Sequence, residues 1–259
     1  MRITILGSGN VATHLAKHMH KIGHVIVQIY SRSLNNASSL ANIVDAQAVN
    51  SINLLNTNID LLLISINDNA IEQVADKLLF EPKLIAHTAG SISINALQKF
   101  PNHGVFYPLQ TFSKKRDVNM KQVPLCIEGN NSESLNVLMK LAQSISDIVI
   151  KLSTEQRLQC HLSAVFANNF TNYMFAISEQ LLADKQIPFD ILKPLIIETA
   201  AKIQSMSPTE AQTGPALRND TNTINYHKSL LSSSHLKKIY SFVSDSILNM
   251  KRLREIERD

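Results

Sequence analysis

Small residues near the start of the chain have a spacing suited to binding phosphate groups. Gly7, Gly9 and Ala12 form the pattern G-x-G-x-x-A within the run Gly7-Ser8-Gly9-Asn10-Val11-Ala12. The first glycine permits a sharp turn, the second lets the backbone approach a pyrophosphate, and the alanine lets a helix pack on a sheet. Free N–H groups at the start of such a helix attract anions. Gly7, Ser8, Gly9, Asn10 and Val11 are therefore predicted to bind a dinucleotide.

The residues that follow the second predicted strand indicate which dinucleotide is bound. A site for NAD usually has an acidic residue at this place, whereas this chain has Ser31, Arg32 and Ser33. Arg32 can pair with a 2′-phosphate and stack on adenine, and the two hydroxyls can donate hydrogen bonds to the same phosphate. The sequence therefore favours NADP over NAD. The alternative is that Arg32 is a solvated surface charge.

Alternating apolar strands and helices position these residues. The run 59–66 is apolar on both faces, as a central parallel strand requires, and a further strand is predicted at 83–87. Small or polar residues lie at the ends of both strands or just after them, and they are Ser65, Asn67, Thr88, Ala89 and Gly90. Loops at the carboxyl ends of an open parallel sheet line its ligand crevice. These residues are predicted to flank the nicotinamide half of the cofactor, although some of them could serve only as turn or capping residues.

The change of periodicity predicts the fold class and the domains. Strands and helices alternate to about residue 152, and the rest of the chain has helical periodicity. We expect an α/β fold with a Rossmann-type parallel sheet and helices on both faces at 1–152, followed by an all-α domain at 153–259. Ser153 and Gln156 have the spacing of a capping box, which predicts a long helix running to about Ala183.

Composition argues against several classes of function. Apolar residues make up 44% of the 259 residues, and no apolar run reaches the ~18–20 residues of a membrane span. The first residues form a strand and not a signal peptide, so a cytoplasmic protein without a membrane partner is expected. The net charge of +4 is scattered apart from a basic cluster at 251–254, which gives no indication of a nucleic-acid partner. Cys126 and Cys160 stand alone, and His14 and His18 are expected to face solvent, so no metal site is predicted.

The long predicted helix carries polar side chains that could act on a substrate. His161 and Asn169 lie on one face of it, with Asn168 beside them. Imidazole and amide groups are costly to bury without hydrogen bonds, and a substrate pocket would supply partners. His161 is the predicted proton donor because imidazole titrates near neutral pH. The alternative is that these groups form hydrogen bonds between packed helices.

A second polar segment follows at 212–220. Gly214-Pro215 sets a turn, Arg218 and Asp220 come next, and His227 lies on the following helix. Arg218 and Asp220 are predicted to orient each other and a polar ligand, and Arg218 or His227 to bind an anionic group of the substrate. The alternative is an Arg–Asp ion pair that only fixes an interhelical turn.

With these residues in view, the chain resembles NADP-dependent oxidoreductases that join a Rossmann-like domain to a helical domain of unknown function. The resemblance covers nearly the whole chain, and it rests on the Gly7–Ala12 turn, the Pro108-Leu109-Gln110-Thr111-Phe112 segment, His161 with Asn168 and Asn169, and the Thr213–Asp220 stretch followed by His227. It implies that Pro108 and Gln110 contact the substrate, and that Asn169 holds its reacting oxygen or nitrogen.

More distantly, the layout is similar to that of β-hydroxyacid dehydrogenases, ketopantoate reductase and pyrroline-5-carboxylate reductase, including helical domains like the C-terminal part of 6-phosphogluconate dehydrogenase. β-Hydroxyacid dehydrogenases carry a catalytic Lys four residues before an Asn, whereas this chain has Val165 there. The resemblance implies hydride transfer between NADP(H) and a small carbonyl, hydroxy-acid or imine substrate, and a helical domain suited to a homodimer. A non-catalytic NADP-binding sensor or scaffold is the alternative, and a reductase that also uses a reduced deazaflavin is a third reading.

Overall fold

The computed structural model describes residues 1–256, and the strands of this part form one sheet. In chain order the strands are β1 (Arg2–Leu6), β2 (Val25–Tyr30), β3 (Gln47–Val49), β4 (Leu61–Ile64), β5 (Ile85–His87), β6 (His103–Pro108), β7 (Leu125–Gly129) and β8 (Val149–Lys151). The strands predicted at 59–66 and 83–87 are present as β4 and β5, and both are shorter than predicted.

Helices connect the strands and make up the rest of the described chain. They are α1 (Asn10–Lys21), α2 (Leu34–Ala41), α3 (Ile71–Asp76), α4 (Ser132–Ile145), α5 (Thr154–Ala164), α6 (Thr171–Ala183), α7 (Lys193–Lys202), α8 (Thr221–Leu230) and α9 (Ser234–Ile256). The side chains of the basic cluster at 252–254 lie outside the described part. None of these helices combines the length and the apolar character that a bilayer crossing requires.

The order of the strands produces a crevice at the middle of the sheet. The order is β3-β2-β1-β4-β5-β6-β7-β8, and every neighbouring pair from β3 to β6 is parallel. The chain therefore moves in one direction from β1 to β3 and in the other from β4 onward. Ligands bind at such a switch point, outside the carboxyl ends of the strands. The loops after β1 and β4 flank it.

Strand β7 differs from the parallel arrangement that the sequence predicts. It pairs with β6 in the antiparallel direction, and β8 then pairs parallel to β7. A parallel pair needs a crossover connection that is usually a helix. Residues 109–124 contain only a short 3₁₀ turn at Met120–Gln122, so the chain returns directly beside β6.

Apolar side chains cover both faces of the sheet, as its central strands predict. Leu61 and Leu63 pack on one face of β4 with α1 and α4, whereas Leu62 and Ile64 pack on the other face with α3. Successive residues of a strand point to opposite faces. The continuous apolar run of β4 therefore fills two layers at once.

The chain divides into two compact units, the first being Met1–Phe175 and the second beginning at Ala176. All strands belong to the first unit, which also contains α5 and the first residues of α6. The change from alternating strands to helices falls at 151–154, close to the predicted domain boundary at 152. The first part of the helical region is thus packed within the first unit.

The long predicted helix is interrupted by a wider turn. Its capping box is formed as predicted, because Ser153 accepts from the Gln156 N–H and Gln156 accepts from the Ser153 N–H. Between α5 and α6, however, Val165–Phe170 forms a π-helical segment. Such a segment changes the angular phase of the residues that follow it, and it is common at functional sites.

The sequence predicts that His14 and His18 of α1 face solvent, and this prediction is wrong. His14 is 9% exposed, its Nε2 lies 3.0 Å from the carbonyl oxygen of Ser113, and its ring lies 4.8 Å from that of Phe112. Burial lowers the pKa of His18. The loop after β6 covers this face of α1, and no spacing within α1 could indicate that contact.

A buried ion pair connects α5 to the sheet. The Arg157 side chain has 0% exposure, and its Nη2 lies 3.1 Å from Oε2 of Glu128 in β7, which is 13% exposed. The hydroxyl of Thr154 donates to the other oxygen of Glu128 at 2.7 Å. The carboxylate of Glu128 is therefore the countercharge of a guanidinium that water does not reach.

We expect Glu128→Gln to lower the free energy of unfolding by about 3 kcal/mol or more, because it leaves the Arg157 charge buried without a countercharge. The measurement is urea denaturation followed by circular dichroism. Asp147→Asn is the matched control, since it removes the acid of an exposed pair with Lys121. Exposed pairs contribute about 1 kcal/mol or less. Equal effects of the two substitutions would contradict the assigned role of Glu128.

Candidate functional site

A cavity of about 860 Å³ opens at the switch point of the sheet. It is lined by the loops after β1, β2, β4 and β5, together with the start of α1. Most of the predicted cofactor-binding residues line it, and these are Gly7, Ser8, Gly9, Asn10, Val11, Ser31, Arg32, Ser65, Asn67, Thr88 and Ala89. Its volume falls within the range of about 300–1,000 Å³ that ligand pockets usually have.

Gly7 and Gly9 of the first loop must be glycines for different structural reasons. Gly7 has φ +127°, and a Cβ there would lie 1.9 Å from the carbonyl oxygen of Ser65. The loops after β1 and β4 therefore approach too closely for a side chain. A Cβ at Gly9 would meet no protein atom within 4 Å, so the space beside Gly9 is open to a ligand. Gly9 is also the N-cap of α1 and provides no side-chain cap, which leaves the first N–H groups of the helix available.

Cationic side chains dominate the charge around the cavity. Arg32 lines it at the end of β2, as predicted, with Ser31 beside it. Lys77 and Lys114 also line it. Among the described residues that line the cavity, Asp68 is the one acidic side chain. Ser33 differs from the prediction, because it does not line the cavity and its hydroxyl instead accepts from the Asn36 N–H as the N-cap of α2. This charge balance suits a ligand with several phosphates.

The loop after β5 lies beside the loop after β4. Thr88 donates a hydrogen bond to the hydroxyl of Ser65 at 3.1 Å, and both residues line the cavity. The Ala89 N–H donates to Nδ1 of His87, which is fully buried. Burial lowers the pKa of His87 to about 4, with a smaller effect from Arg157. His87 is therefore neutral at physiological pH, and it shapes the loop without adding charge.

His161 lies against this loop and is paired with a tyrosine. Its Nδ1 is 3.0 Å from the hydroxyl oxygen of Tyr107, which is the penultimate residue of β6. A Cβ on Gly90 would lie 2.5 Å from Nδ1 of His161 and 2.7 Å from Cζ of Tyr107. Only a glycine allows the three residues to meet in this way. Burial raises the pKa of Tyr107 to about 12, so its hydroxyl stays neutral.

Arg157 holds the same loop from the other side. Its Nη1 donates to the carbonyl oxygens of Ala89, at 3.2 Å, and Gly90, at 2.8 Å. Arg157 and His161 are one helical turn apart on α5. The two residues therefore fix the loop and the imidazole relative to each other.

The other residues of this unit that are predicted to act in catalysis or substrate binding have no contact with His161 among those described. Asn168 and Asn169 lie in the π-helical segment and are exposed, so neither amide is buried as the sequence suggests. Pro108 is buried at the end of β6. Gln110 is exposed, and its side chain accepts from the N–H of Thr111.

The predicted substrate residues of the second unit have local partners. Asp220 is the N-cap of α8 and accepts from the N–H and the hydroxyl of Thr223 at 3.0 and 2.7 Å, and these hydrogen bonds lower its pKa. Among the described residues Arg218 forms no direct ion pair with Asp220, although its charge also contributes to the lowered pKa of that carboxyl, so their mutual orientation stays a prediction. Nδ1 of His227 lies 2.8 Å from the hydroxyl of Tyr240 in α9.

Several residues of the site are missed by sequence reasoning. Arg157 and Tyr107 carry no motif, and Lys77 and Lys114 have no recognisable spacing from the glycine loop. The residues one turn before and after Arg157 on α5 are Thr154 and His161, so this polar face gives no signal that Arg157 is buried. Lys114 comes from the loop that returns beside β6, whose path depends on the antiparallel pairing of β7.

Two family models match the chain. A model described as NADP oxidoreductase, coenzyme F420-dependent, matches residues 2–92, and a domain of unknown function, DUF2520, matches residues 123–247. The first match contains the glycine loop, Arg32 and the loops after β4 and β5. The second contains Glu128, Arg157 and His161. No curated protein matches the chain significantly in sequence.

Solved structures resemble the chain over nearly its whole length. A protein of Bacteroides fragilis that is assigned as an NADP oxidoreductase is 39% identical, with a TM-score of 0.90, over 96% of this chain and 98% of its own. Pyrroline-5-carboxylate reductase from Streptococcus pyogenes is 19% identical, with a TM-score of 0.62, over 97% of this chain and 98% of its own. An imine reductase from Myxococcus stipitatus in complex with NADP⁺ is 12% identical, with a TM-score of 0.67, over 97% of this chain and 93% of its own.

The two more distant structures share the fold alone. The Bacteroides fragilis protein is similar enough in sequence and coverage to establish the family. The chain therefore belongs to the family of NADP oxidoreductases that join a Rossmann-like domain to a DUF2520 domain.

Proposed function

We propose that this chain binds NADP(H) in the cavity of the first unit and transfers a hydride to or from a small carbonyl, hydroxy-acid or imine substrate. The observation that carries the proposal is the convergence of the glycine loop, Arg32 and the loops after β4 and β5 on one cavity. The residues fit the cofactor. The open space beside Gly9 suits a pyrophosphate, and the guanidinium of Arg32 suits a 2′-phosphate.

The cofactor, when bound, supplies the hydride, and the protein must supply or accept a proton. We assign that proton to Nε2 of His161. In an imidazolium both ring nitrogens carry hydrogens, so Nδ1–H donates to the oxygen of Tyr107 and Nε2–H is left for the substrate. Because the pKa of Tyr107 is raised to about 12, Tyr107 does not take the proton at neutral pH. It orients the ring, and His161 gives or receives the proton.

The class of substrate is inferred from the names of similar proteins and from the polar residues predicted to contact the substrate. The solved structures include an imine reductase and a pyrroline-5-carboxylate reductase, and both names denote reduction of a C=N bond. A histidine can protonate the nitrogen of an imine or the oxygen of a carbonyl. Asn168 and Asn169 follow His161 along the helix and, in this proposal, hold the substrate's reacting atom. Arg218 or His227, of this chain or of its partner in a dimer, is the proposed ligand of an anionic group.

A non-catalytic NADP-binding sensor or scaffold is the second candidate. It is favoured by Val165, which stands where related dehydrogenases carry a catalytic Lys. The two candidates share the cofactor site and differ in turnover. Tight NADP binding with no oxidation of NADPH by any member of a panel of imines and 2-oxo acids would favour the sensor. A reaction that needs a reduced deazaflavin in addition would favour the third reading.

We also propose that the chain is a homodimer through its helical part. Large apolar side chains of the second unit are strongly exposed, among them Ile191 (64%), Leu195 (62%), Ile197 (68%) and Phe242 (74%). Exposed apolar surface of this extent marks interaction sites, and symmetric homodimers are the commonest soluble oligomers. A cytoplasmic location stays a prediction.

We expect Arg32→Ala to weaken NADP binding about tenfold or more and to weaken NAD binding much less, because only NADP carries the 2′-phosphate. The measurement is titration calorimetry with both dinucleotides. Lys140→Ala is the matched control, since Lys140 is an exposed cation of the same unit that does not line the cavity. Equal loss for NAD and NADP, or no loss, would contradict the assignment of Arg32.

We expect His161→Gln to lower kcat about 10²–10⁴-fold, the range of general acid–base catalysis, with NADPH affinity unchanged. Tyr107→Phe should lower kcat less, and it should have no further effect once His161 is replaced, because Tyr107 acts through the imidazole. The measurement is NADPH oxidation with a panel of imines and 2-oxo acids. His235→Gln, an exposed histidine of α9, is the control. Activity that survives His161→Gln unchanged would remove His161 from the mechanism.

We expect light scattering after size exclusion to give twice the chain mass for the unmodified protein, and Ile197→Glu to shift it toward the monomer. A charge at a buried interface is costly to desolvate. Leu79→Glu is the matched control, because Leu79 is 87% exposed and lies in the first unit. A monomeric unmodified protein, or a dimer unaffected by Ile197→Glu, would count against this interface.

A further inference from the structure

The loop between β6 and β7 is fixed against the first helix. Its Phe112 is buried in the core that α1 shares with the sheet. The ring of Phe112 lies 4.8 Å from that of His14, and the carbonyl oxygen of Ser113 lies 3.0 Å from Nε2 of His14. Since His14 is itself 9% exposed, these contacts determine where the loop crosses α1. Nε2 of His14 must carry a hydrogen in order to donate to this carbonyl.

The contacts of Phe112 and Ser113 with His14 bring a lysine of this loop close to the start of α1. Lys114 directly follows Ser113, its residue is exposed, and it lines the same cavity as Gly9, Asn10 and Val11. His14 lies four residues after Asn10, which corresponds to about 6 Å along a helix that rises about 1.5 Å per residue. A lysine has a flexible four-carbon stem. The ammonium group can therefore reach the space in front of the first N–H groups of α1.

From this placement we infer that Lys114 binds the pyrophosphate of the dinucleotide, and that His14 is the positioning residue that holds the Lys114 loop in place. The inference rests on the proposed NADP site and adds a ligand to it. The start of α1 has no side-chain cap and no acidic residue in its first turn, so nothing there competes with an anion. Its N–H groups and the Lys114 ammonium would approach the pyrophosphate from two elements that are far apart in sequence.

The roles of Lys114 and Arg32 are separable. Arg32 comes from the end of β2, where the adenosine 2′-phosphate is expected, whereas the Lys114 loop is anchored on α1. NAD and NADP share the pyrophosphate, and only NADP has the 2′-phosphate. Replacing a residue that binds the pyrophosphate therefore weakens the affinity for both dinucleotides. Replacing a residue that binds the 2′-phosphate weakens the affinity for NADP alone.

The test is titration calorimetry of the full chain with NADP and with NAD. Lys114→Met should weaken both about tenfold, the effect of one charge-assisted contact, and should lower the salt dependence of both affinities. Lys115→Met is the matched control, since Lys115 is the next residue of the same loop, is exposed, and does not line the cavity. It should change neither affinity.

His14→Phe tests the positioning role, because it keeps an aromatic ring against Phe112 and removes the hydrogen bond to Ser113. It should weaken both dinucleotides, and it should have little further effect once Lys114 is replaced. A loss that simply adds to that of Lys114→Met would overturn the positioning role of His14.

The outcomes distinguish the two proposals. An unmodified chain that binds neither dinucleotide would defeat the proposed function itself. If the unmodified chain binds, an unchanged affinity in Lys114→Met overturns the inference, and so does a loss confined to NADP, because that result assigns Lys114 to the 2′-phosphate.

Discussion

The buried guanidinium of Arg157 is the constraint on which the candidate site depends. With 0% exposure, its charge cannot be solvated by water and needs partners inside the protein. Glu128 supplies the countercharge, and the carbonyl oxygens of Ala89 and Gly90 accept the remaining donors. These partners come from β7 and from the loop after β5. One side chain of α5 therefore fixes two parts of the sheet that no backbone hydrogen bond connects directly.

That constraint has a consequence for His161, which lies one turn after Arg157 on the same helix. The capping box at Ser153 sets where α5 begins, and Arg157 sets how it faces the loop after β5. The position of the imidazole relative to Gly90 then follows from helix geometry. Because the imidazole and the Tyr107 ring leave no room for a Cβ at Gly90, the contact is tight. The proton donor that we propose beside the cofactor pocket needs this kind of fixed geometry.

The sequence predicts those parts of the site that local pattern determines. The glycine loop, Arg32 and the loops after β4 and β5 could be predicted because a parallel sheet brings the ends of its strands together. The antiparallel return of β7 could not, since it depends on a connection without a crossover helix. Arg157, Tyr107 and Lys114 were missed because their partners are distant in sequence. His14 was wrongly placed for the same reason. The π-helical segment at Val165–Phe170 also has no signal in helical periodicity.

The π-helical segment bears on how this chain could act without the lysine of related dehydrogenases. The segment begins at Val165, so this residue and the two asparagines lie where the helix widens and its angular phase changes. A side chain there does not face the direction that a regular α-helix would give it. His161 lies before this change, in the regular part that Arg157 fixes against the sheet. The regular part of the helix thus carries His161, which the proposed mechanism requires to be placed accurately, whereas the exposed Asn168 and Asn169 lie in the widened part.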